Sequence, residues 1–292
     1  MYLLFDIGGT KTRIALSHDK TSFSDPVVLE TSQDFATGIE AIAEIARELS
    51  EGEVIEAAGG GVAGPLNKAK TELINSPHLP DWIRKPLAKE LGAALKSPVY
   101  LENDTAIVGL GEAVAGAGKG HDIVVYMTVS TGVGGARIVG QKIDQSVFGF
   151  EPGHQIIDFD GTACPQCVSH GAKESGVGVG HLEAYVSGTA TEGRFGVPPN
   201  EITDPATWDT IAKWLAVGLN NTIVHWSPDV VVLGGSMVVK KPGIYIEDVR
   251  KHLTETLTIF PEHPTLKEAQ LADIGGLHGA LAYIQACTQE GR

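Results

Sequence analysis

The stretch DIGGTKT, residues 6–12, follows the short apolar run Tyr2–Phe5 directly. An apolar run of this length is typical of a buried strand. The glycines after it let backbone N–H groups approach phosphate oxygens without a Cβ in the way. Two threonine hydroxyls add donors, and Asp6 is placed to hold a hydrated Mg²⁺. A plain β-hairpin turn explains the same residues, because Ile14–Leu16 is typical of a return strand.

The same pattern recurs twice further along the chain. TVSTGVGG at 128–135 follows the apolar run Ile123–Met127, and LGGS at 233–236 ends the run Asp229–Leu233. A hairpin explains 128–135 as well, since Ala136–Val139 is typical of a return strand. A hairpin and a phosphate loop are not exclusive. The repetition of a Ser/Thr/Gly turn therefore favours phosphate binding.

Strand-like and helix-like segments alternate along the chain. Val54–Ala58 and Pro98–Leu101 are further strand candidates, the first of them interrupted by a glutamate. Apolar residues recur at helical spacing over 38–49, 104–115 and 208–223, and Thr203, Asp204 and Pro205 provide start signals for the last of these helices. This alternation predicts an α/β fold.

Composition and charge exclude several classes of protein. The 292 residues carry a formal net charge of -14, which disfavours nucleic acids and anionic membranes as partners. No apolar stretch reaches the ~18 residues that a membrane span needs. The run before Asp6 is too short for a signal-peptide core. Three cysteines form no disulfide framework, so we expect a cytoplasmic location.

Two other nucleotide-binding motifs can be tested against the sequence. No G-x-x-x-x-G-K-[ST] occurs, which argues against a P-loop NTPase. Gly59-x-Gly61-x-x-Gly64 matches the dinucleotide-binding pattern after a strand. Pro65 follows it, however, and no helical periodicity supplies the helix that a pyrophosphate would cap. A Rossmann dehydrogenase is therefore disfavoured.

An acidic cluster lies where a strand gives way to a helix. In LEND, residues 101–104, a carboxylate at the strand end would point into a ligand cleft. A helix N-cap at Asn103 or Asp104 is the favoured explanation when the motif is taken alone. Other polar residues of the chain favour a functional role for the motif, because carboxylates, amides and imidazoles pair with the hydroxyls of a hexose. The plausible sugar-binding residues are Asn103, Asp104, Glu151, His154 and Glu183.

Cysteines and histidines concentrate in one segment, at His154, Cys164, Cys167, His170 and His181. Two thiolates and two imidazoles are a standard tetrahedral zinc set, and C-x-x-C is the usual knuckle spacing. The segment between 161 and 180 has little apolar content, so a metal could supply its order. The alternative is a solvent-exposed loop with free thiols. The clustering favours zinc.

Taken together, these motifs resemble the ROK family, named for repressors, open reading frames and kinases. The matching stretches span nearly the whole chain in the family's order. They are DIGGTKT (6–12), GVAGPL (61–66), NSPHLPDW (75–82), ENDTAIVGLGE (102–112), TVSTGVGGARIVGQKI (128–143), EPGHQIID (151–158), HLEAYVSGTA (181–190), VVLGGS (231–236) and IGGLHGA (274–280). The resemblance implies an actin-like (ribonuclease H-like) two-domain ATPase fold with a ligand cleft between the domains.

The resemblance also implies a role for each matching residue. Asp104 corresponds to the catalytic base that takes the proton of a sugar hydroxyl. The expected sugar ligands are Asn75, Asn103, Asp104, Glu151, His154 and Glu183. The expected ATP-binding residues are Asp6, Gly8, Gly9, Thr10, Lys11, Thr12, Ser130, Thr131, Gly132, Gly134, Gly234 and Gly235, the last two on the adenosine side.

The cysteine segment departs from the family pattern, a histidine followed by C-x-C-G-x-x-G-C-x-E. Here the pair is C-x-x-C, an insertion follows, and His181 stands where the third cysteine would be. The zinc ligands preferred on this comparison are His154, Cys164, Cys167 and His181. His170 competes for the fourth place.

The expected function is ATP- and Mg²⁺-dependent phosphorylation of a hexose, with glucose to glucose 6-phosphate preferred. N-acetylmannosamine, N-acetylglucosamine and fructose are alternative substrates, and a non-catalytic sugar sensor is the alternative outside the enzymes. A repressor is disfavoured, since the phosphate loop begins right after Asp6 and leaves no room for a helix-turn-helix domain. The expected domains are 1–110, rejoined by a helix over 278–292, and 111–277, which carries the zinc insertion. A homodimer is expected from the family.

Overall fold

The computed structural model describes residues 1–289, so the last three residues of the helix predicted over 278–292 lie outside it. The chain forms two compact units. The first contains Met1–Lys119, Gln141–Gly149 and the chain from Leu271 onward, and the second contains Gly120–Gly140 and Phe150–Gln270.

The first unit is built on a sheet with the strand order β3-β2-β1-β4-β5. Its first three strands are antiparallel neighbours, and β4 and β5 run parallel to β1. In chain order its elements are β1 (Tyr2–Ile7), β2 (Lys11–Ser17), β3 (Val27–Glu30), α1 (Phe35–Ser50), β4 (Ala57–Val62), α2 (Leu87–Leu95), β5 (Val99–Asn103), α3 (Asp104–Val114), the two-residue β8 (Lys142–Ile143) and α10 (Gly275–Gln289).

The second unit repeats this plan with the strand order β10-β9-β6-β7. An antiparallel hairpin, β6–β7, again precedes parallel strands. Its elements are β6 (Ile123–Val129), β7 (Val133–Val139), α4 (Lys173–Ser175), α5 (Glu183–Val186), α6 (Gly188–Phe195), α7 (Pro205–Trp226), β9 (Val230–Gly234), α8 (Ser236–Val239), α9 (Ile246–Thr256) and β10 (Thr265–Glu268). The α/β prediction is confirmed. The turns within 6–12 and 128–135 each join two strands of a hairpin, whereas 233–236 joins β9 to α8.

Local signals explain where the long helices begin. Asn103 and Asp204 each accept a backbone hydrogen bond at the start of α3 and α7, and a proline occupies the first turn of α7. The apolar face of α1 lies in one of the cores of the first unit, and that of α7 lies in the core of the second unit. Ile42, Phe5 and Trp82 belong to that core of the first unit. Trp208, Leu215 and Met127 belong to that of the second.

The strand predicted over Val54–Ala58 is displaced in the structure. The strand β4 is Ala57–Val62, and its glycine run is fully buried within the sheet. Glycine has a low strand propensity, so the sequence pattern placed a loop there. The glycines are needed because a Cβ at Gly60 would lie 1.7 Å from the carbonyl oxygen of Phe5. The motif glycines are explained by packing as well, since a Cβ at Gly59 would meet Ile284, one at Gly61 would meet Asp104, and Gly64 has a φ of +129°.

Glycines also bring α3 and α10 into backbone contact. A Cβ at Gly279 would lie 1.8 Å from the carbonyl oxygen of Ile107, and one at Gly111 would lie 2.1 Å from that of Gly275. The buried carboxylate of Glu112 on α3 adds a polar link, because it accepts the N–H groups of Ala117 and Leu271, each at 2.8 Å. The Glu112 side chain therefore links the segment after α3, where the chain first leaves the first unit, to Leu271, where the chain returns to it for the last time.

We expect Gly279→Ala to destabilise the first unit by about 1–3 kcal/mol, because the new methyl meets backbone that cannot rotate away. Gly275→Ala on the same helix is the matched control. Its Cβ would meet only side-chain atoms, the nearest being Cγ1 of Val108 at 3.3 Å. Urea unfolding followed by circular dichroism compares the two. Equal stability of both variants would contradict this account of the helix contact.

Candidate active site

In the first unit, the predicted phosphate turn is the β1–β2 hairpin turn. The N–H of Gly8 donates to the carbonyl oxygen of Lys11 at 3.0 Å. Thr10 and Lys11 are exposed, whereas Thr12 is buried, with its hydroxyl 2.9 Å from that of Thr31. The turn is therefore anchored at its base by a buried hydroxyl pair and open at its tip.

Asp6 lies at the end of β1, beside this turn. Burial raises the pKa of its carboxyl to about 6, although the nearby Arg13 guanidinium opposes the shift and Asp273 adds to it. Arg13 itself pairs with Asp273 at 3.1 Å. A Cβ at Gly276 would lie 2.5 Å from Oδ2 of Asp6, so the start of α10 covers the carboxylate closely. A buried carboxylate at this place has the chemistry to hold a hydrated divalent cation.

Asn103 and Asp104 lie at the junction of β5 and α3, as the sequence predicted. The Asn103 side chain caps the helix, since its Oδ1 accepts the N–H of Ala106 at 3.1 Å. Its amide donates to the carbonyl oxygen of Gly64 at 3.1 Å. Oδ1 of Asp104 accepts the N–H of Thr105 at 2.8 Å. Capping and a catalytic role are compatible here, because they fall on different side chains.

The loop that carries Asn75 meets the same point. A Cβ at Gly64, whose φ is +129°, would lie 2.5 Å from the carbonyl oxygen of Asn75. The Ser76 hydroxyl donates to the carbonyl oxygen of Ala63 at 2.7 Å. Gly64 therefore contacts both the Asn75 backbone and the Asn103 side chain, which brings these two segments together.

An ion pair between a buried glutamate and a partly exposed lysine supports this junction, and sequence reasoning missed it. One oxygen of the Glu102 carboxylate bonds to Nζ of Lys70, and the other accepts the N–H of Asn103 at 3.0 Å. Glu102 is only 6% exposed. Its motif position was visible in the sequence, but nothing in the sequence paired it with Lys70.

In the second unit, a cavity of about 510 Å³ opens beside the β6–β7 turn. Ser130 and Thr131 of the predicted phosphate loop line it. The remaining lining residues were not predicted and come from α6, the 199–200 turn and the α8 region; they are Gly188, Thr189, Glu192, Pro199, Asn200, Ser236, Met237, Lys240, Lys241 and Pro242. A cavity of this size accommodates a nucleotide-sized ligand.

The other predicted ATP-binding residues of this unit lie next to the cavity lining in sequence. Gly132 and Gly134 belong to the same hairpin as Ser130, and Gly234 and Gly235 directly precede Ser236. The hydroxyl oxygens of Ser130 and Ser236 are 3.2 Å apart. The β6–β7 turn and the segment after β9 therefore meet at the cavity.

Two of the three predicted sugar ligands of the second unit, Glu151 and His154, belong to one short turn, and Gly153 of this turn packs against Val133. Burial raises the pKa of the Glu151 carboxyl; the neighbouring His154 lowers it, and Glu183 raises it further. Oε2 of Glu183 accepts the N–H of Val133 at 2.6 Å. The structure thus brings Glu151, His154 and Glu183 together, which sequence spacing alone left open.

The predicted zinc ligands do not assemble as a metal site. Cys164 and Cys167 form a disulfide with an S–S distance of 2.07 Å, so neither sulfur is a thiolate that could bind a metal. Nδ1 of His154 lies 3.2 Å from Nδ1 of His181. Burial lowers the pKa of the His181 imidazole, and His154 lowers it further, against the effect of Glu183.

Across residues 1–289, no three side chains of the ligating types come together as a metal-binding group. His170, the competing ligand, instead has Nδ1 2.8 Å from the Ser169 hydroxyl. Packing explains the outcome at Cys167. Its sulfur is fully buried and accepts Nη1 of Arg194 at 3.0 Å, a cationic neighbour in place of a cationic metal. The predicted zinc set does not fit this structure.

Comparison with known proteins places the chain. The family model described as "ROK family" matches residues 2–286. The chain belongs to the ROK family. The glucokinase of Streptomyces coelicolor is 28% identical over 302 residues, with 94% of each chain covered. The N-acetylgalactosamine kinase AgaK of Shewanella sp. is 28% identical over 300 residues, with 96% of this chain and 95% of the relative covered.

Solved structures of family members have the same fold. The ROK hexokinase of Thermus thermophilus superimposes with a TM-score of 0.83 at 29% identity, over 98% of this chain and 99% of that one. A ROK family glucokinase of Streptomyces griseus, in complex with glucose and AMPPNP, gives a TM-score of 0.73 at 26% identity, over 97% and 98%. The predicted family and the actin-like two-domain fold are confirmed. In the described part of the chain, no helix combines the length and apolarity of a membrane span.

The raised pKa of Asp6 predicts a pH-dependent stability. The folded carboxyl holds its proton up to about pH 6, whereas its ordinary value is 3.8. The native state therefore binds the proton more tightly, and the free energy of unfolding falls as pH rises through this window. At about 1.36 kcal/mol per pKa unit the loss is about 3 kcal/mol.

Asp6→Asn should remove this loss, so the variant should be more stable than the native chain above about pH 6. Urea unfolding at a series of pH values between about 4 and 7 measures it. Parallel stability curves for the two proteins would show that Asp6 is not the titrating group.

Proposed function

We propose that this ROK family sugar kinase transfers the γ-phosphoryl group of ATP to the C6 hydroxyl of a hexose, with glucose as the preferred substrate. The observation that carries the proposal is the placement of Asp104. Its carboxylate stands at the first turn of α3, held by the N–H of Thr105, while Asn103 takes over the capping. A helix cap alone would not need an acidic side chain beside the capping asparagine.

Asp104 is the general base in this proposal. It accepts the proton of the sugar hydroxyl while the hydroxyl oxygen attacks the γ-phosphorus in line and the bond to the β–γ bridging oxygen breaks. The Glu102–Lys70 pair supports this role, because it fixes the backbone directly before Asp104. A base that is already held in one orientation loses no further rotational freedom in the reaction. Such positioning is a main source of rate enhancement in phosphoryl transfer.

The two hairpin turns are the proposed phosphate ligands. Within 8–12 and 130–135, the N–H groups of Gly8, Ser130 and Val133 are bonded to the protein itself, and other backbone N–H groups of the turns donate to the phosphate oxygens. The cavity beside Ser130 and Thr131 receives the nucleoside. Asp6 is the residue that would hold Mg²⁺, which supplies positive charge to the phosphates when bound. The S. griseus glucokinase complex with glucose and AMPPNP supports ATP as the donor.

The sugar is bound by Asn75, Asn103, Glu151, His154 and Glu183 in this proposal. Glucose presents a ring of hydroxyls, and buried groups that pair with all of them reject sugars that lack one. The relatives include a glucokinase and an N-acetylgalactosamine kinase. N-acetylmannosamine, N-acetylglucosamine and fructose are therefore the competing substrates, and a coupled ADP-release assay over this panel ranks them. A cytoplasmic homodimer remains a prediction from the family resemblance.

Asp104→Asn should lower kcat by about 10²–10⁴-fold, because the amide cannot accept the hydroxyl proton. Glucose affinity should change little, since the amide oxygen still accepts a hydrogen bond. Coupled ADP release measures the first quantity and isothermal titration calorimetry the second. Glu44→Gln, an exposed carboxylate on α1, is the matched control and should leave both unchanged. Near-native turnover of Asp104→Asn would exclude Asp104 as the base.

A further inference from the structure

The carboxylate of Glu183 contacts the turn that carries the proposed phosphate ligands of the second unit. Its Oε2 accepts the N–H of Val133 at 2.6 Å. The same oxygen would lie 2.7 Å from a Cβ at Gly132, so the carboxylate lies directly against the turn. A proposed sugar ligand therefore also holds the end of the proposed phosphate loop.

Backbone contacts from the same segment continue along the turn. The N–H of Gly188 donates to the carbonyl oxygen of Ser130 at 2.7 Å, and that of Thr189 approaches the carbonyl oxygen of Thr131 at 3.4 Å. Ser187 is buried and caps α6, which fixes the direction of these two N–H groups. The segment from 183 to 189 thus braces residues 130–133 at three points.

Glu183 faces the sugar-binding group as well. A Cβ at Gly153 would lie 2.3 Å from the carbonyl oxygen of Val133, so the turn that carries Glu151 and His154 packs against the residue whose N–H the Glu183 carboxylate accepts. The only hydrogen bond from its carboxylate to the described residues is the one to Val133, made by Oε2. The second oxygen is the one that a sugar hydroxyl can use.

We propose that Glu183 couples the two substrates: a sugar hydroxyl bonded to one carboxylate oxygen fixes the other against Val133 and so sets the phosphate loop for the nucleotide. The inference rests on the proposed function. Glu183 acts on the nucleotide only through the loop and is a positioning residue in that respect. The bound sugar orders the carboxylate and the turn. The nucleotide then binds without the entropy cost of ordering them, so each substrate raises the affinity for the other.

Gly132 provides a variant that acts from the loop side. Its φ lies outside the left-handed region, so alanine is compatible with its backbone, and the groups that a Cβ would meet belong to the Glu183 carboxylate. Gly132→Ala therefore displaces the carboxylate from the turn and replaces no proposed sugar ligand. Glu151→Gln is the matched control, because Glu151 is a proposed sugar ligand with no hydrogen bond to residues 130–133 among those described.

The experiment measures the affinity of the full chain for AMPPNP by calorimetric titration in the presence of Mg²⁺. It is done once without glucose and once with saturating glucose. In the native protein, glucose should raise the AMPPNP affinity about five-fold or more. Gly132→Ala and Glu183→Ala should reduce this ratio to about one, with glucose raised to saturate each variant. Glu183→Gln keeps an oxygen that can accept the Val133 N–H and should restore part of the ratio. Glu151→Gln should weaken glucose binding but keep the native ratio.

A native ratio of one would overturn the coupling, and so would a native-sized ratio in Gly132→Ala. Circular dichroism checks that each variant is folded, and Gly132→Ala decides the question if Glu183→Ala does not fold. Loss of the ratio in Glu151→Gln as well would show a general loss of the sugar site rather than a role of Glu183. If the native chain phosphorylates no hexose of the panel, the proposed function itself fails; if it phosphorylates glucose without coupling, only this inference fails.

Discussion

The first unit depends on one packing constraint: the backbones of neighbouring helices and strands contact each other directly, with no side chain between them. Helices α3 and α10 approach until Gly279 lies against the carbonyl of Ile107, and β4 approaches β1 until Gly60 lies against that of Phe5. Asp104 begins the first of these helices, and Gly276 of the second covers Asp6. The position of both acidic side chains is therefore set by how closely glycine lets helices and strands pack, and any larger residue would move the carboxylates together with the helices.

This constraint also explains which parts of the structure the sequence could reveal. Helices with apolar residues at regular spacing, such as α1 and α7, were predicted to within a few residues at each end. The strand β4 was displaced, because its buried residues are glycines that give no periodic signal. The spacing of those glycines even imitated a dinucleotide motif. Tertiary packing, invisible in a local pattern, decided the role of each one.

The candidate site likewise has parts that the sequence could reveal and parts that it could not. Asp104 and the two turns lie in short, contiguous motifs, and such motifs can be recognised without knowing the fold. The pairing of Glu102 with Lys70 joins residues far apart in sequence, and the cavity beside Ser130 gathers four separate segments. Only the folded chain brings these together. The zinc prediction failed for a related reason: composition can show that ligands are near in sequence, but not that Cys164 pairs with Cys167 and that Arg194 contacts the buried sulfur.

The two hairpin turns share a property beyond their glycines. A phosphate needs N–H groups facing it and carbonyl oxygens facing away, since each carbonyl dipole would repel it. In the first unit, the carbonyl of Thr10 accepts the N–H of Thr31, and that of Gly9 accepts the Gln33 amide.

In the second unit, the carbonyls of Ser130 and Thr131 accept N–H groups from the start of α6. In both units, therefore, unrelated partners hold the carbonyl oxygens, which would repel a phosphate, away from the open face of the turn. The sequence shows the glycines of such a turn, but the partners that orient its carbonyls come from elsewhere in the fold. Whether a turn can bind an anion therefore depends on the whole unit, and the glycine motif shows only where in the sequence the turn lies.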